Sequence, residues 1–259
     1  MNKKTLNVVT LGSCMSEGVF AAITKLNPGI NFNHLNHVIH NRSDYIHQVF
    51  IQKNWLPPDL SISELCDITS SPEFPNQSLK ENFDFFLMNQ HPKTIGLNRN
   101  EQRLPLLVNL EQKEIDLVLL DNFMDIASMI VVQKSTGKKF FLFSGAFSKD
   151  VFEKNFEWIG FLTPDESLRN WEAIVTWLKL LQPNAKFIFS PFPESVFGNN
   201  HRDSVQRASQ FKNVLSNNPL PLNILNTKCV EESDLLSATD WCHYSNKYYE
   251  ALAKQIRLL

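Results

Sequence analysis

The feature that most constrains this chain is an alternation. Short continuous apolar runs are followed, again and again, by stretches with helical spacing. Residues 6–12 (LNVVTLG) alternate too little for a half-exposed strand and read as a buried one. In the segment that follows, Val19, Phe20, Ile23 and Leu26 fall on one helical side, with Ser16 as the expected N-cap and Asn27-Pro28-Gly29 as the stop. Residues 30–38 (INFNHLNHV) read as a strand with a polar edge, and residues 43–52 (SDYIHQVFIQ) as a helix capped by Ser43 or Asp44. The same alternation returns downstream. EIDLVLLDN is a strand ending in Asp121-Asn122. Residues 167–181 are an amphipathic helix with Trp171, Ile174, Leu178 and Leu181 on one face. KFIFSPFP is a buried strand, DSVQRASQFKNVL a helix, LNIL a short strand, and the chain closes on a helix capped by Ser245. Strands alternating with helices predict an α/β fold, a parallel sheet with helices on both faces. Residues 128–144 (SMIVVQKSTGKKFFLFS) interrupt the pattern as a β-hairpin insertion turning at Ser135-Thr136-Gly137.

No linker or repeat divides the 259 residues, so a single domain over 1–259 is expected. Residues 54–78 hold Pro57, Pro58, Pro72 and Pro75, and 54–114 is the expected site of a lid or insertion, with a short helix near Ile62 and another over KENFDFFLMNQ. A net charge of −2 leaves no electrostatic footprint for nucleic acid. No apolar run reaches the ~18 residues of a membrane span. The first residues lead straight into the first strand and read as that strand, not a signal peptide. Cys14, Cys66, Cys229 and Cys242 form no Cys-x-x-Cys pair, which fits a reduced, cytoplasmic setting.

In an open parallel sheet, ligands bind at the carboxyl ends of the strands. Polar clusters stand at such ends: Gly12-Ser13-Cys14, Asp121-Asn122 and Ser190. Asp240-Trp241-Cys242-His243 precedes the last helix. Cys14 has two readings. Free cysteine is usually a small buried hydrophobe. At a helix N-terminus, though, a thiolate is stabilised by unpaired N–H groups and the helix dipole. On the second reading His243 is the base, Asp240 fixes its tautomer, and Asn122 with the Cys14 N–H stabilises an oxyanion, a complete set for acyl transfer. Asn122 otherwise caps a turn, Ser13 hydrogen-bonds within the turn, and Cys242 packs. His34, His37, His40 and His47 invite a metal reading. Strand alternation and helix spacing both keep the first three off one tight face, so no metal is expected, and a histidine lining the pocket fits better. Trp171 reads as core and Trp177 is left open.

Residues 12–18 (GSCMSEG) resemble the first block of the SGNH/GDSL hydrolase superfamily, Gly-Asp-Ser-x-[Ser/Thr]-x-Gly after a first strand. Aligned so, Cys14 takes the place of the nucleophilic serine and Ser13 that of the aspartate. Asp240 and His243 are similar to the family's closing Asp-x-x-His, and Asp121-Asn122 to the block that supplies its asparagine. The Gly-Ser-Cys variant and FIFSPFPESVFG resemble the GSCFA-like, bacterial polysaccharide-biosynthesis branch. The resemblance implies a three-layer α/β/α sandwich with a central parallel sheet, flavodoxin-like in layout. It implies acyl transfer on a carbohydrate or other small-molecule ester, as an O-acetyltransferase or esterase. No cofactor is required, and an acyl-CoA is the implied donor; no glycine loop for phosphates accompanies it. The family's second block is a glycine whose N–H completes the oxyanion hole, and NHVIHNRSDY has none. A backbone N–H near Asn41 to Ser43 is the expected substitute, with Arg42 binding a carbonyl or anion. Ser13, Arg42, Ser43 and Asp121 are therefore the expected substrate-binding residues. The rival readings are a non-catalytic sugar- or nucleotide-binding module and a metal-dependent hydrolase built on the histidines.

Overall fold

The structure is a computed structural model that describes residues 4–39, 41–53, 89–91, 94–96, 104–137, 139–141, 149–194, 202–237 and 242–258. The first strand, β1 (Thr5–Gly12), runs into helix α1 (Cys14–Leu26) and then β2 (Asn31–Ile39). A short helix α2 (Ser43–Ile46) continues as a π turn over His47–Ile51. After α3 (Leu106–Gln112) come β3 (Leu117–Asp121) and α4 (Phe123–Ala127). Next are β4 (Ile130–Gln133), β5 (Lys139–Phe140), α5 (Lys149–Asn155), β6 (Phe156–Ile159) and α6 (Pro164–Leu181). The chain ends through β7 (Lys186–Ser190), α7 (Arg202–Asn217), β8 (Asn223–Ile224) and α8 (Asn246–Ala253).

Five strands form a parallel sheet in the order β2-β1-β3-β7-β8. All five residues of β3 are buried, as its unbroken apolar run requires, because helices cover both faces. On one face α1 and α8 pack so closely that a Cβ on Gly18 would stand 2.4 Å from the Tyr249 ring. On the other face Phe189 of β7 packs between Trp171 of α6 and Phe211 of α7, with ring centroids 5.3 and 6.1 Å away. The apolar face expected for residues 167–181 is the one α6 buries, through Leu168, Trp171, Ile174 and Leu178. Trp177 stacks on Phe50 of the π turn, centroids 5.1 Å apart, so it packs and presents no sugar platform.

The hairpin is β4 and β5, antiparallel, with Gly137 at φ 68° closing the turn. The sequence pattern missed its third strand: β6 pairs with the far edge of β4. FEWI is four residues long and follows a helix directly, too short for a period to emerge. The expected short helices near Ile62 and over KENFDFFLMNQ lie mostly or wholly outside the described residues. So does most of the expected lid; its end, α3, is tied to β2 by the Asn109 Nδ2 to Asn36 Oδ1 hydrogen bond of 2.8 Å.

The strand order reverses between β1 and β3. Chain connections leave in opposite directions from the carboxyl ends of these two strands, which opens a crevice there. The residues at that crevice are Gly12, Ser13 and Cys14 from β1, and Asp121 and Asn122 from β3.

Candidate active site

β1 ends on Gly12, whose φ of 151° favours glycine. A Cβ there would stand 2.5 Å from Asp121 Oδ2. The missing side chain is what lets the Asp121 carboxylate slide under the start of α1. That carboxylate accepts from the Ser13 N–H (2.8 Å), the Ser13 hydroxyl (2.8 Å), the Ser16 N–H (3.0 Å) and the Phe123 N–H (3.0 Å). The helix cap is Ser13, not the expected Ser16: Ser13 Oγ accepts from the Met15 N–H at 3.0 Å. Ser16 instead sits inside the first turn, its hydroxyl donating to the Ser13 carbonyl at 2.9 Å. Burial raises the Asp121 pKa from its ordinary value, and the hydrogen bonds from Phe123, Ser13 and Ser16 pull it back.

Cys14 is the first residue of α1 and is half-buried. The expectation of a thiolate held by the helix end is reversed. Burial, then the Asp121 carboxylate, push the Cys14 thiol up to about 12, against the lowering effect of Ser13 and the local backbone. The physical reason is that Asp121 already receives the N–H groups at this helix end, so their positive potential is matched by a carboxylate and not by sulfur. Cys14 therefore rests as a thiol at neutral pH. Alkylation by iodoacetamide should follow an apparent pKa above the ~8.5 of a free thiol. A mass-spectrometric rate profile with its midpoint at or below that value would show that a cation pairs with the sulfur.

Asn122 is fully buried. Its Oδ1 accepts from the Phe192 N–H at 2.7 Å, which turns the amide nitrogen the other way. That nitrogen has no hydrogen-bond partner, and the side chain does not cap α4. A buried N–H without a partner costs about 1–3 kcal/mol. An arriving carbonyl oxygen would relieve that cost.

His243 stands beside Cys242, with Nδ1 3.6 Å from its Sγ. Cys242 is also partly buried against the core, the packing role expected of it. Backbone bonds fix this segment: Leu236 N–H to the His243 carbonyl at 2.9 Å and Ser245 N–H to the Asp234 carbonyl at 2.6 Å. Ser245 caps α8 as expected, accepting from the Tyr248 N–H at 3.4 Å. Asp240 lies outside the described residues.

Arg42 and Ser43 go elsewhere. The buried Arg42 guanidinium is bidentate on Asp44, at 2.8 Å from each of Nε and Nη2, and its Nη1 reaches the carbonyls of Gly160 (2.8 Å) and Ser128 (3.2 Å). No donor pair is left over for a substrate carbonyl. Ser43 gives both its N–H and its hydroxyl to Asp125, each at 2.7 Å. Asp121 and Ser13 bind one another, so they position the loop that carries Cys14.

Asp125 was not singled out from the sequence. It also accepts from the Ser167 hydroxyl and from the Trp171 N–H (2.9 Å), joining the β2–α2 loop to α6. Its only sequence signal is its place four residues after Asp121 beside a strand end. Burial raises its pKa to about 6. A raised carboxyl pKa means the folded state holds the proton more tightly than the unfolded chain, where an Asp titrates near ~3.9. Stability from this group is full below that pH and falls as pH rises toward about 6. Urea denaturation of wild type and Asp125→Asn at pH 4 to 7 should show a difference that shrinks by roughly 3 kcal/mol across that window. A constant difference would place the proton elsewhere.

The histidines of β2 also differ from expectation. A bulge shifts the register between Val8 and Val9, so Val8 pairs with His34 but Val9 with Asn36. The extra residue puts His34 and His37 on one side, where both meet the Thr10 hydroxyl: His34 Nε2 at 3.0 Å and His37 Nδ1 at 2.6 Å. His37 Nε2 faces Glu17 of α1 at 3.4 Å. Among the described residues no group of three or more His, Cys, Asp or Glu is arranged to hold a metal ion. His40 lies outside the described residues.

No family model and no curated protein matches the chain. Among solved structures it is similar to an acetyl xylan esterase from the rumen bacterium Butyrivibrio proteoclasticus, at TM-score 0.43 and 10% identity over 98% of this chain and 63% of that one. It is similar to a family two carbohydrate esterase from Clostridium thermocellum at TM-score 0.40 and 9% identity, over 98% and 63%. An acetylxylan esterase from Geobacillus stearothermophilus gives TM-score 0.43 and 11% identity over 98% and 94%. The chain spans less than two thirds of the length of the first two. At these values none of them assigns a role to a residue here. No helix among the described residues is long and apolar enough to cross a membrane.

Proposed function

We propose that this protein is an acyl-transfer enzyme of SGNH type acting on a carbohydrate ester, an O-acetyltransferase or esterase with cysteine in the nucleophile's place. The observation that carries the reading is the position of Cys14 and Asn122, each just past the carboxyl end of one of the paired strands β1 and β3, at the switch point of the sheet. One offers a sulfur, half-buried at a helix start, and the other a buried amide N–H with no partner. The resemblance of residues 12–18 and of Asp240 with His243 supports the assignment of roles.

In this reading His243 takes the Cys14 proton as sulfur attacks the acyl carbonyl, because the thiol is not ionised beforehand. The carbonyl electron pair moves to oxygen, facing Asn122 Nδ2 and the Cys14 N–H. His243 then protonates the departing alcohol or thiol, leaving a thioester on Cys14. A sugar hydroxyl or water attacks the thioester, giving its proton to His243, and the thiol is restored. Asp240 orients His243. An acyl-CoA is the proposed donor, and membership of the Gly-Ser-Cys branch and a cytoplasmic setting belong to the same proposal.

The test is to incubate the protein with acetyl-CoA or 4-nitrophenyl acetate, quench with acid and map the peptides. An acetyl group on the Cys14 peptide is expected, together with its loss in Cys14→Ala. Turnover with no acetyl on Cys14 would move the nucleophile elsewhere. One observation favours the second reading, a non-catalytic sugar-binding module: the thiol pKa pushed up to about 12. Failure of every acyl donor, with saturable sugar binding, would support it.

A further inference from the structure

Beyond Asn122 and the Cys14 N–H, a third oxyanion donor was expected from the β2–α2 loop, where several of the described donors are already bonded. In the β2–α2 loop the Ser43 N–H is committed to Asp125 and the Arg42 guanidinium to Asp44, Gly160 and Ser128. Asn41 Nδ2 is bonded to the Asn89 carbonyl at 2.9 Å and the Ile39 carbonyl at 3.2 Å. The Ser43 N–H and the side chains of Asn41 and Arg42 are thus taken, which leaves room for a side-chain donor from elsewhere.

Tyr244 offers such a donor. It is 2% exposed, and its hydroxyl, like Asn122 Nδ2, is a buried donor with no hydrogen-bond partner. Leaving a buried hydroxyl unpaired costs about 1–3 kcal/mol, which a phenylalanine would avoid. Its neighbour Tyr248 shows the ordinary arrangement, its hydroxyl donating to the Lys228 carbonyl at 3.3 Å. Both residues neighbour Phe192. The Phe192 N–H holds Asn122, and the Phe192 ring lies 6.2 Å from that of Tyr244. The Tyr244 hydroxyl lies in the electrostatic field of Cys14 and Cys242 without bonding to either sulfur. Burial raises its pKa far above the ordinary value, so the phenol keeps its proton and remains a donor. The Leu235–Tyr244 bridge and the packing on Tyr248 and Tyr249, at 4.8 and 6.0 Å, hold the ring in place.

We propose that the Tyr244 hydroxyl is a hydrogen-bond donor to the acyl oxyanion, alongside the Asn122 amide, and replaces the glycine N–H absent from the β2–α2 loop. This rests on the acyl-transfer reading above.

The test is Tyr244→Phe, with Tyr248→Phe as the structural control. Hydrolysis of 4-nitrophenyl acetate should lose ~10²–10³ in kcat with little change in KM. The melting temperature should hold or rise, since an unpaired buried hydroxyl is gone. Alkylation of Cys14 by iodoacetamide, which forms no oxyanion, should keep its wild-type rate. Tyr248→Phe should lower the melting temperature and leave kcat alone. A wild-type kcat in Tyr244→Phe overturns this inference and spares the acyl-transfer reading. A parallel loss of alkylation, or a lowered melting temperature accompanied by an equal loss of kcat in both variants, assigns the residue to structure and also overturns it. A wild-type protein that turns over no acyl donor overturns the acyl-transfer reading and this inference with it.

Discussion

Replacing Cys14 by alanine should leave the fold standing and remove acyl turnover by a factor of ~10⁴ or more. The stability half follows from position. Cys14 opens α1 half-buried, and the bonds that hold this corner run through Ser13, Ser16 and Asp121, not through the thiol. Alanine is a good helix residue and removes only a sulfur. The activity half follows from chemistry. With no covalent intermediate, the amide of Asn122 can still polarise a carbonyl, but no group is left to accept the acyl. Cys14→Ser gives the sharper comparison. A hydroxyl has the same need for a base at the moment of attack that the unionised thiol has, so partial activity is expected. Thermal melts and steady-state kinetics on the same preparations separate the two halves. Turnover that survives Cys14→Ala at more than a tenth of the wild-type rate would remove Cys14 from the chemistry.

The largest stability effect belongs to Asp121. Asp121→Ala should cost about 4 kcal/mol or more, read from urea unfolding midpoints. The carboxylate accepts three backbone N–H groups and one hydroxyl, and alanine leaves those donors buried and unpaired. Gly12→Ala attacks the same contact from the other side. Its Cβ would stand 2.5 Å from Asp121 Oδ2 and 2.7 Å from the Asp121 carbonyl oxygen, at a φ of 151° that alanine rarely adopts. The conservative Asp121→Asn has a second, separable consequence. Removing the carboxylate charge removes the second cause of the raised Cys14 pKa, so alkylation should begin at lower pH than in wild type. An unchanged alkylation profile would leave burial, with a smaller push from Glu17, as the cause. An Asp121→Ala protein as stable as wild type would mean that water satisfies those donors and the corner is open.

The layout of the site was legible before any coordinates, because it depends on local signals. A run such as LVLLD can only be a strand covered on both faces. Strands joined by helices run parallel, and a parallel sheet presents its polar strand ends on one edge. The strand ends bearing Cys14 and Asn122 were therefore found from order along the chain. Partnerships between those ends were not legible. Ser16 and Ser13 both have cap chemistry, and only the approach of Asp121 through the gap at Gly12 makes Ser13 the cap. The rise in the Cys14 pKa was not legible for the same reason: it comes from burial and from a carboxylate 107 positions away in sequence. Arg42 and Ser43 had suitable groups for a substrate, and only the fold shows Asp44 and Asp125 taking them. One inserted residue in β2 overrode strict alternation and turned His34 and His37 to the same side.

What the sequence by itself determined is the succession of strands and helices and the chemical types at the strand ends, since both follow from periodicity and residue identity over a few positions. What only the tertiary structure decided is which donors are already bonded and which are left unpaired. That outcome depends on long-range approach and burial, where a hydrogen bond made or missed by 1 Å changes the chemistry, and it leaves the Asn122 amide and the Tyr244 hydroxyl buried and unpaired.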